Sequence, residues 1–129
     1  MMGNGTILIR ARTPQASITI GEGNLTSNNI SIVANDSIAI GDHCQMGDLV
    51  AIYDSDFHEI NPATRNRTAG PSAPVRIGNN VWLGSRVMVL KGVSIGDNSV
   101  IAAMSVVTRS VPPNSLAAGI PAKVIRSIG

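Results

Sequence analysis

The sequence predicts an all-β protein built of short strands stacked as parallel rungs, and three observations lead there. Ile and Val together number 28 of 129 residues and Leu only 6; β-branched side chains lose freedom in helices and fit pleated strands. Aromatic residues are almost absent, with Tyr53, Phe57 and Trp82 the whole set, which suits a narrow interior better than a wide one. From Ile77 onward an aliphatic residue recurs every six positions, at Ile77, Leu83, Val89, Ile95, Ile101 and Val107. A period of six is neither the 3.6 of a helix nor the bare 2 of a long strand.

The six-residue frame dictates its elements in order. Four positions after each aliphatic residue stands a small or β-branched one: Val81, Val87, Val93, Ser99, Ser105 and Val111. Gly follows the aliphatic residue at Gly78, Gly84 and Gly96, and Ala at Ala102, while Leu90 and Thr108 break that rule. Each hexapeptide reads as a strand giving one large side chain to the interior, then a turn. Corners such as Asn79-Asn80 and Asp97-Asn98 suit positive φ, which Gly and Asn tolerate. The same frame fits Ile40-Gly41 and Met46-Gly47. The N-terminal third is looser: Ile18/Ile20, Ile30/Ile32 and Ile38/Ile40 alternate at spacings of 12 and 8, a slip of two residues. One domain over 1–129 is expected, with coils at about 6–52 and 75–111. A protruding loop lies near 53–76, its excursion spanning 53–74. The tail, 112–129, packs back on the stack, and Pro112-Pro113 is expected to stop regular pairing.

Composition excludes several classes. Apolar residues are 43% and charged residues 14%, which argues against disorder. A net charge of +2 gives no case for nucleic acid. No apolar run approaches the roughly 20 residues of a membrane span. The single Cys44 rules out an internal disulfide and a cysteine-rich zinc site. With no charged-then-apolar leader at Met1, a cytoplasmic location is expected. The chain has two histidines, His43 and His58, too few for a site of three imidazoles on a metal, and no metal is expected. Repetitive Thr arrays of an ice-binding or scaffold β-helix are absent.

The run VRIGNNVWLGSRVMVLKGVSIGDNSVIAAMSVVTRSVPPNSLAAGIPAKVIR resembles the C-terminal half of the hexapeptide-repeat acetyltransferases, which include maltose, galactoside and polysaccharide O-acetyltransferases. The preceding IYDSDFHEI resembles their catalytic segment. The resemblance implies a left-handed parallel β-helix with three hexapeptides per coil, and a homotrimer with active sites between subunits. Acetyl-CoA is the implied donor, and a hydroxyl of a sugar, glycan or similar small molecule the acceptor. Two differences stand out. The repeat begins near the first residues, where relatives carry an N-terminal segment. Ala102-Ala103-Met104 replaces Gly-Ala-Gly, so that Met104 is expected to narrow the pantetheine groove.

An acceptor hydroxyl needs a base in contact near neutral pH, and His suits that task. His43 falls in a turn and reads as a solvated corner residue, whereas His58 matches the family's catalytic His. Asp54, Asp56 and His58 alternate, so an extended segment would put all three on one face. Asp56 would then orient the imidazole, as in triad logic, and Asp54 would face the acceptor; a backbone carbonyl is the alternative orienting group. By resemblance Ser85 is the oxyanion donor and Trp82 lines the substrate site, with Asn28 and Asn29 as further acceptor contacts. Ala103 and Thr108 match positions lining the pantetheine groove. Arg109, Lys123 and Arg126 match basic positions that contact CoA, whose phosphates favour such side chains. The expected function is an acetyl-CoA-dependent O-acetyltransferase. The alternatives are a xenobiotic O-acetyltransferase, an amino-sugar N-acetyltransferase and an inactive CoA-binding β-helix.

Overall fold

The computed structural model describes residues 5–129. All regular structure among them is β, and no helix is long and apolar enough to cross a membrane. The chain climbs through five coils. The first holds β1 (Ile7–Ala11), β2 (Ser17–Ile20) and β3 (Leu25–Thr26); the second β4 (Ile30–Ala34), β5 (Ser37–Ile40) and β6 (Gln45–Met46). The third holds β7 (Ala51–Tyr53), β8 (Val75–Ile77) and β9 (Trp82–Leu83), with the excursion between β7 and β8. The fourth is β10 (Met88–Val89), β11 (Ser94–Ile95) and β12 (Val100–Ile101). The last is β13 (Val106–Val107) and β14 (Ser115–Gly119), closed by β15 (Ala122–Ser127).

Equivalent strands stack into three sheets, the faces of a prism. Sheet 1 runs β1-β4-β7-β10-β13, sheet 2 runs β2-β5-β8-β11, and sheet 3 runs β3-β6-β9-β12-β14-β15. All pairings are parallel except β14 with β15. Ile77 pairs with Ile95, Leu83 with Ile101 and Val89 with Val107. Each step is three hexapeptides, the coil that the sequence frame requires. Nearer the N-terminus Ile18 pairs with Ile38 and Ile32 with Ile52. The two extra residues of the second coil sit at the corner between sheets 1 and 2, which accounts for the slip read in the sequence; the first coil is longer still, with Ile9 paired to Ile32.

The six frame residues from Ile77 to Val107 are at most 3% exposed. Their followers Val81, Val87 and Val93 are fully buried and Val111 nearly so. Ser99 and Ser105 occupy the same inward positions. Each bonds the last coil: Ser99 Oγ donates to Pro112 O (2.6 Å) and accepts the Ser115 N–H (3.1 Å), and Ser105 Oγ accepts the Gly119 N–H (3.0 Å). Buried hydroxyls are tolerated because they satisfy backbone groups where the stack changes shape.

Corners follow one rule. At seven corners the third residue after the inward aliphatic has positive φ: His43 (58°), Leu49 (61°), Asn80 (56°), Arg86 (63°), Gly92 (77°), Asn98 (65°) and Met104 (68°). Gly and Asn were expected at such points, yet Leu, Arg and Met also stand there. Left-handed backbone is costly for such residues, but each N–H donates to the neighbouring coil: Leu49 to Asn28 O (2.9 Å), Arg86 to Asp48 O (2.7 Å), Met104 to Ser85 O (2.9 Å). Glycine is needed one position after the aliphatic at Gly78 and Gly84 instead. A Cβ on Gly78 would lie 3.0 Å from the Asp97 N and 2.3 Å from its Oδ1; one on Gly84 would lie 2.7 Å from the Ala103 N.

Pro112-Pro113 does not end the pairing, contrary to the expectation from sequence. Val111 bridges Ile95 in parallel and β14 pairs in parallel with β12. The prolines occupy a corner, where no ladder N–H is required, and Gly96 leaves room for Pro113. The chain then reverses, and β15 covers the outer edge of sheet 3.

Candidate active site

The excursion leaves sheet 1 and is sewn to its base by a buried carboxylate. Asp54 is fully buried and accepts the N–H groups of Asn35 and Asp36, both at 2.7 Å. Asn35 Nδ2 donates to Ser55 Oγ (3.1 Å), and Ser55 bridges Ser72 across the two stems. Phe57 then turns at φ 63°, its N–H held by Ser55 Oγ (2.9 Å). That reversal directs His58 outward, where Nδ1 lies 3.0 Å from the Arg65 carbonyl. A carbonyl only accepts, so in the neutral ring Nδ1 carries the proton and Nε2 keeps its lone pair.

Two expectations are corrected here. Asp54, Asp56 and His58 do not share a face, because the segment is extended only to Tyr53 and turns at Phe57. Asp56 is exposed and ion-paired with Lys91 (2.9 Å), so the carbonyl, not a carboxylate, orients the ring. Asp54, buried on backbone amides, is out of reach of any acceptor. His43 is the exposed, positive-φ corner residue that its position predicted.

The corner between sheets 3 and 1 carries Asn28, Asp48, Ser85 and Ala103 in one column, coil upon coil. Each position can cap the backbone of the coil before it. Asn28 Oδ1 accepts the Gly5 N–H (2.8 Å), and Asp48 Oδ1 accepts the Asn28 N–H (3.0 Å). The Ser27 hydroxyl and that amide hold the Asp48 carboxyl below its usual range. Asn29 accepts the Thr6 N–H (3.3 Å). Thus the amide oxygens of both asparagines serve the corner. At the neighbouring corner the same device runs Asp97 to Asn79 (2.8 Å) and Asn79 to Asp42 (2.8 Å). Ala103 has no acceptor to offer. Among the described residues nothing pairs with the Ser85 N–H, and it opens into a groove.

That groove, about 480 Å³, is lined by Gly47, Trp82, Ser85, Ala103, Val100 and Leu116 among others. Trp82 is 54% exposed on the outer face of sheet 3. Trp82, Val100, Leu116 and Arg126 are successive register partners across that sheet, and Lys123 pairs Ala118 on the same strand. The groove therefore runs from Ser85 toward a basic edge strand. Met104 is exposed at its corner and is not part of the lining, because its positive φ turns it away; the expected narrowing does not occur within one chain. Thr108 and Arg109 lie elsewhere, exposed at the corner that also bears the excursion and Lys91. Among the described residues no group of three potential ligands could hold a metal.

The sequence reading missed Arg12, Thr13 and Asn35, which line a pocket of about 330 Å³ with His58, Arg67 and Thr68. The signal was the register: Ala11 pairs with Ala34, so the residues that follow each meet beneath the excursion.

Residues 74–109 match the family model described as Bacterial transferase hexapeptide (six repeats). The chain is 42% identical over 113 residues to the galactoside O-acetyltransferase of Escherichia coli K12, covering 88% of this chain and 55% of that one. It spans about half the length of the curated relatives it matches. A maltose O-acetyltransferase structure from Clostridium difficile 630 superposes at TM-score 0.77 with 35% identity, over 99% of this chain and 69% of the other. A galactoside acetyltransferase in complex with coenzyme A gives 0.81 and 37%, over 95% and 65%. With this repeat, these corners and these relatives, the chain belongs to the hexapeptide-repeat acetyltransferase family, whose fold is the left-handed parallel β-helix.

Proposed function

We propose that the chain acts as an acetyl-CoA-dependent O-acetyltransferase on a hydroxyl of a sugar, glycan or similar small molecule. The observation that carries the reading is the His58–Arg65 hydrogen bond, which fixes the imidazole with Nε2 as an available base. Nε2 takes the acceptor's proton as its oxygen attacks the thioester carbonyl. The free Ser85 N–H donates to the oxyanion of the tetrahedral intermediate. Collapse breaks the C–S bond, and the imidazolium returns its proton to the departing thiolate.

Topology supports a shared site. His58 stands at the corner between sheets 1 and 2, and Ser85 and Trp82 at or beside the corner between sheets 3 and 1. Two edges of one convex prism cannot face each other, so the base and the groove meet only when two chains lie side by side. The outer faces agree. Sheet 2 presents Ser37, Arg76 and Ser94, whereas sheets 1 and 3 present Leu8, Met88, Leu25 and Trp82. Two apolar faces flanking one edge suit a homotrimer, in which every chain uses both neighbours. The fit to acetyl-CoA rests on the apolar groove with its uncapped amide, ending at Lys123 and Arg126; Thr108 and Arg109, across the intersubunit cleft, offer further contacts.

His58→Ala tests the proposal. Turnover with acetyl-CoA and a sugar panel, followed by thiol release, should fall about 10²–10⁴-fold with acetyl-CoA binding retained. Wild-type turnover in this variant would refute the assignment.

A further inference from the structure

The pocket beside His58 is basic, and the chemistry already described does not use its charge. Arg12 and Arg67 both line it and no carboxylate does. Arg12 sits with its guanidinium 5.0 Å from the centre of the Phe57 ring. Phe57 is itself fixed, at positive φ and edge-on to Tyr53 with ring centres 5.6 Å apart. Stacking occupies the face of a guanidinium and leaves its N–H edge free. Among the described residues the only ion pair is Lys91 with Asp56, so neither arginine has a carboxylate within 4.0 Å. The contrast is with Arg65 and Arg76, whose guanidiniums already donate to Ile60 O and to Ser37 Oγ. The nearby acids are also engaged. Asp56 holds Lys91, and the Thr64 and Thr68 hydroxyls near Glu59 keep its carboxyl below the usual range. A guanidinium over an aromatic ring, sharing a pocket with the base and lacking a carboxylate partner, suits a carboxylate ligand.

We infer that the acceptor is a sugar acid, a uronic- or sialic-type ring whose carboxylate is bound by Arg12 and Arg67 while a ring hydroxyl faces His58 Nε2. This rests on the acetyl-transfer reading and adds the acceptor's charge to it. The pocket's volume falls in the range of small-molecule sites, and Thr13, Asn66 and Thr68 supply polar groups for hydroxyls.

The test uses the intact protein with matched pairs: glucuronate against glucose, and N-acetylneuraminate against its methyl ester. Acetyl transfer is followed by thiol release, and acceptor binding separately by calorimetry. The acid should exceed its neutral partner by about tenfold or more in kcat/KM and in affinity. In Arg12→Gln and Arg67→Gln that ratio should fall toward one. Equal use of acid and neutral partner overturns the inference while leaving the acetyltransferase reading intact. So does a rise in the KM for acetyl-CoA with an unchanged acid-to-neutral ratio, which would give the arginines to the donor's phosphates instead. Selective binding of the acid without any acetyl transfer refutes the activity and upholds the pocket.

Discussion

Replacing Ala103 by Asn should trade activity for stability. At the adjacent corner Asn79 Oδ1 accepts the Asp42 N–H at 2.8 Å, and Asp97 does the same for Asn79. Ala103 occupies the equivalent place over Ser85, and Gly84 brings the two coils within contact there. An Asn side chain at 103 can therefore reach the Ser85 N–H and close it. One added hydrogen bond to a backbone donor contributes about 0.5–1.5 kcal/mol. Loss of one oxyanion donor costs about 10²–10³ in turnover. Asn is chosen over Asp so that no charge enters the groove. Urea unfolding should show a raised midpoint at constant slope, and single-turnover acetyl transfer should slow by the factor given. A stabilised variant with wild-type turnover would refute the role of the Ser85 amide. A variant neither stabilised nor slowed would refute the capping geometry.

Other outcomes follow from the same structure. Asp54→Asn turns a donor toward a backbone N–H at the root of the excursion and should destabilise by about 2–4 kcal/mol. Its turnover should fall with little change in the KM for acetyl-CoA; an unshifted urea midpoint would remove Asp54 from its anchoring role. Lys123→Ala with Arg126→Ala should raise the KM for acetyl-CoA about tenfold with a smaller effect on turnover, and an unchanged KM would detach β15 from the donor. Burial pushes the Cys44 thiol above its ordinary value of 9.0. The unfolded chain then ionises first, so this contribution is intact below about pH 9 and declines as pH rises toward the folded value. The stability difference between wild type and Cys44→Ala should shrink between about pH 8 and pH 10, and a flat difference would contradict it.

The sequence made the scaffold legible because its interior is nearly one-dimensional. A narrow prism admits one large side chain per hexapeptide, so Ile77 to Val107 announce themselves by spacing alone. His58 was identifiable by its segment, and Trp82, Ser85 and Ala103 do converge on one groove. Other features needed the register. The alternation of Asp54, Asp56 and His58 predicted a shared face, but a left-handed turn at Phe57 overrode the pleat. Arg12 is far from His58 in sequence and reaches it only because the first two coils are longer than eighteen residues. The bare Ser85 amide was hidden for a similar reason: it depends on what Ala103 lacks, one coil further on.

The excursion enters and leaves at one corner without altering the stack around it. Ile40 still meets Ile77, Met46 still meets Leu83 and Ile52 still meets Val89. Because each coil contacts only its neighbours, the segment from Asp54 to Pro74 behaves as a replaceable cartridge. Its length and side chains can change without shifting the register of the coils above and below it.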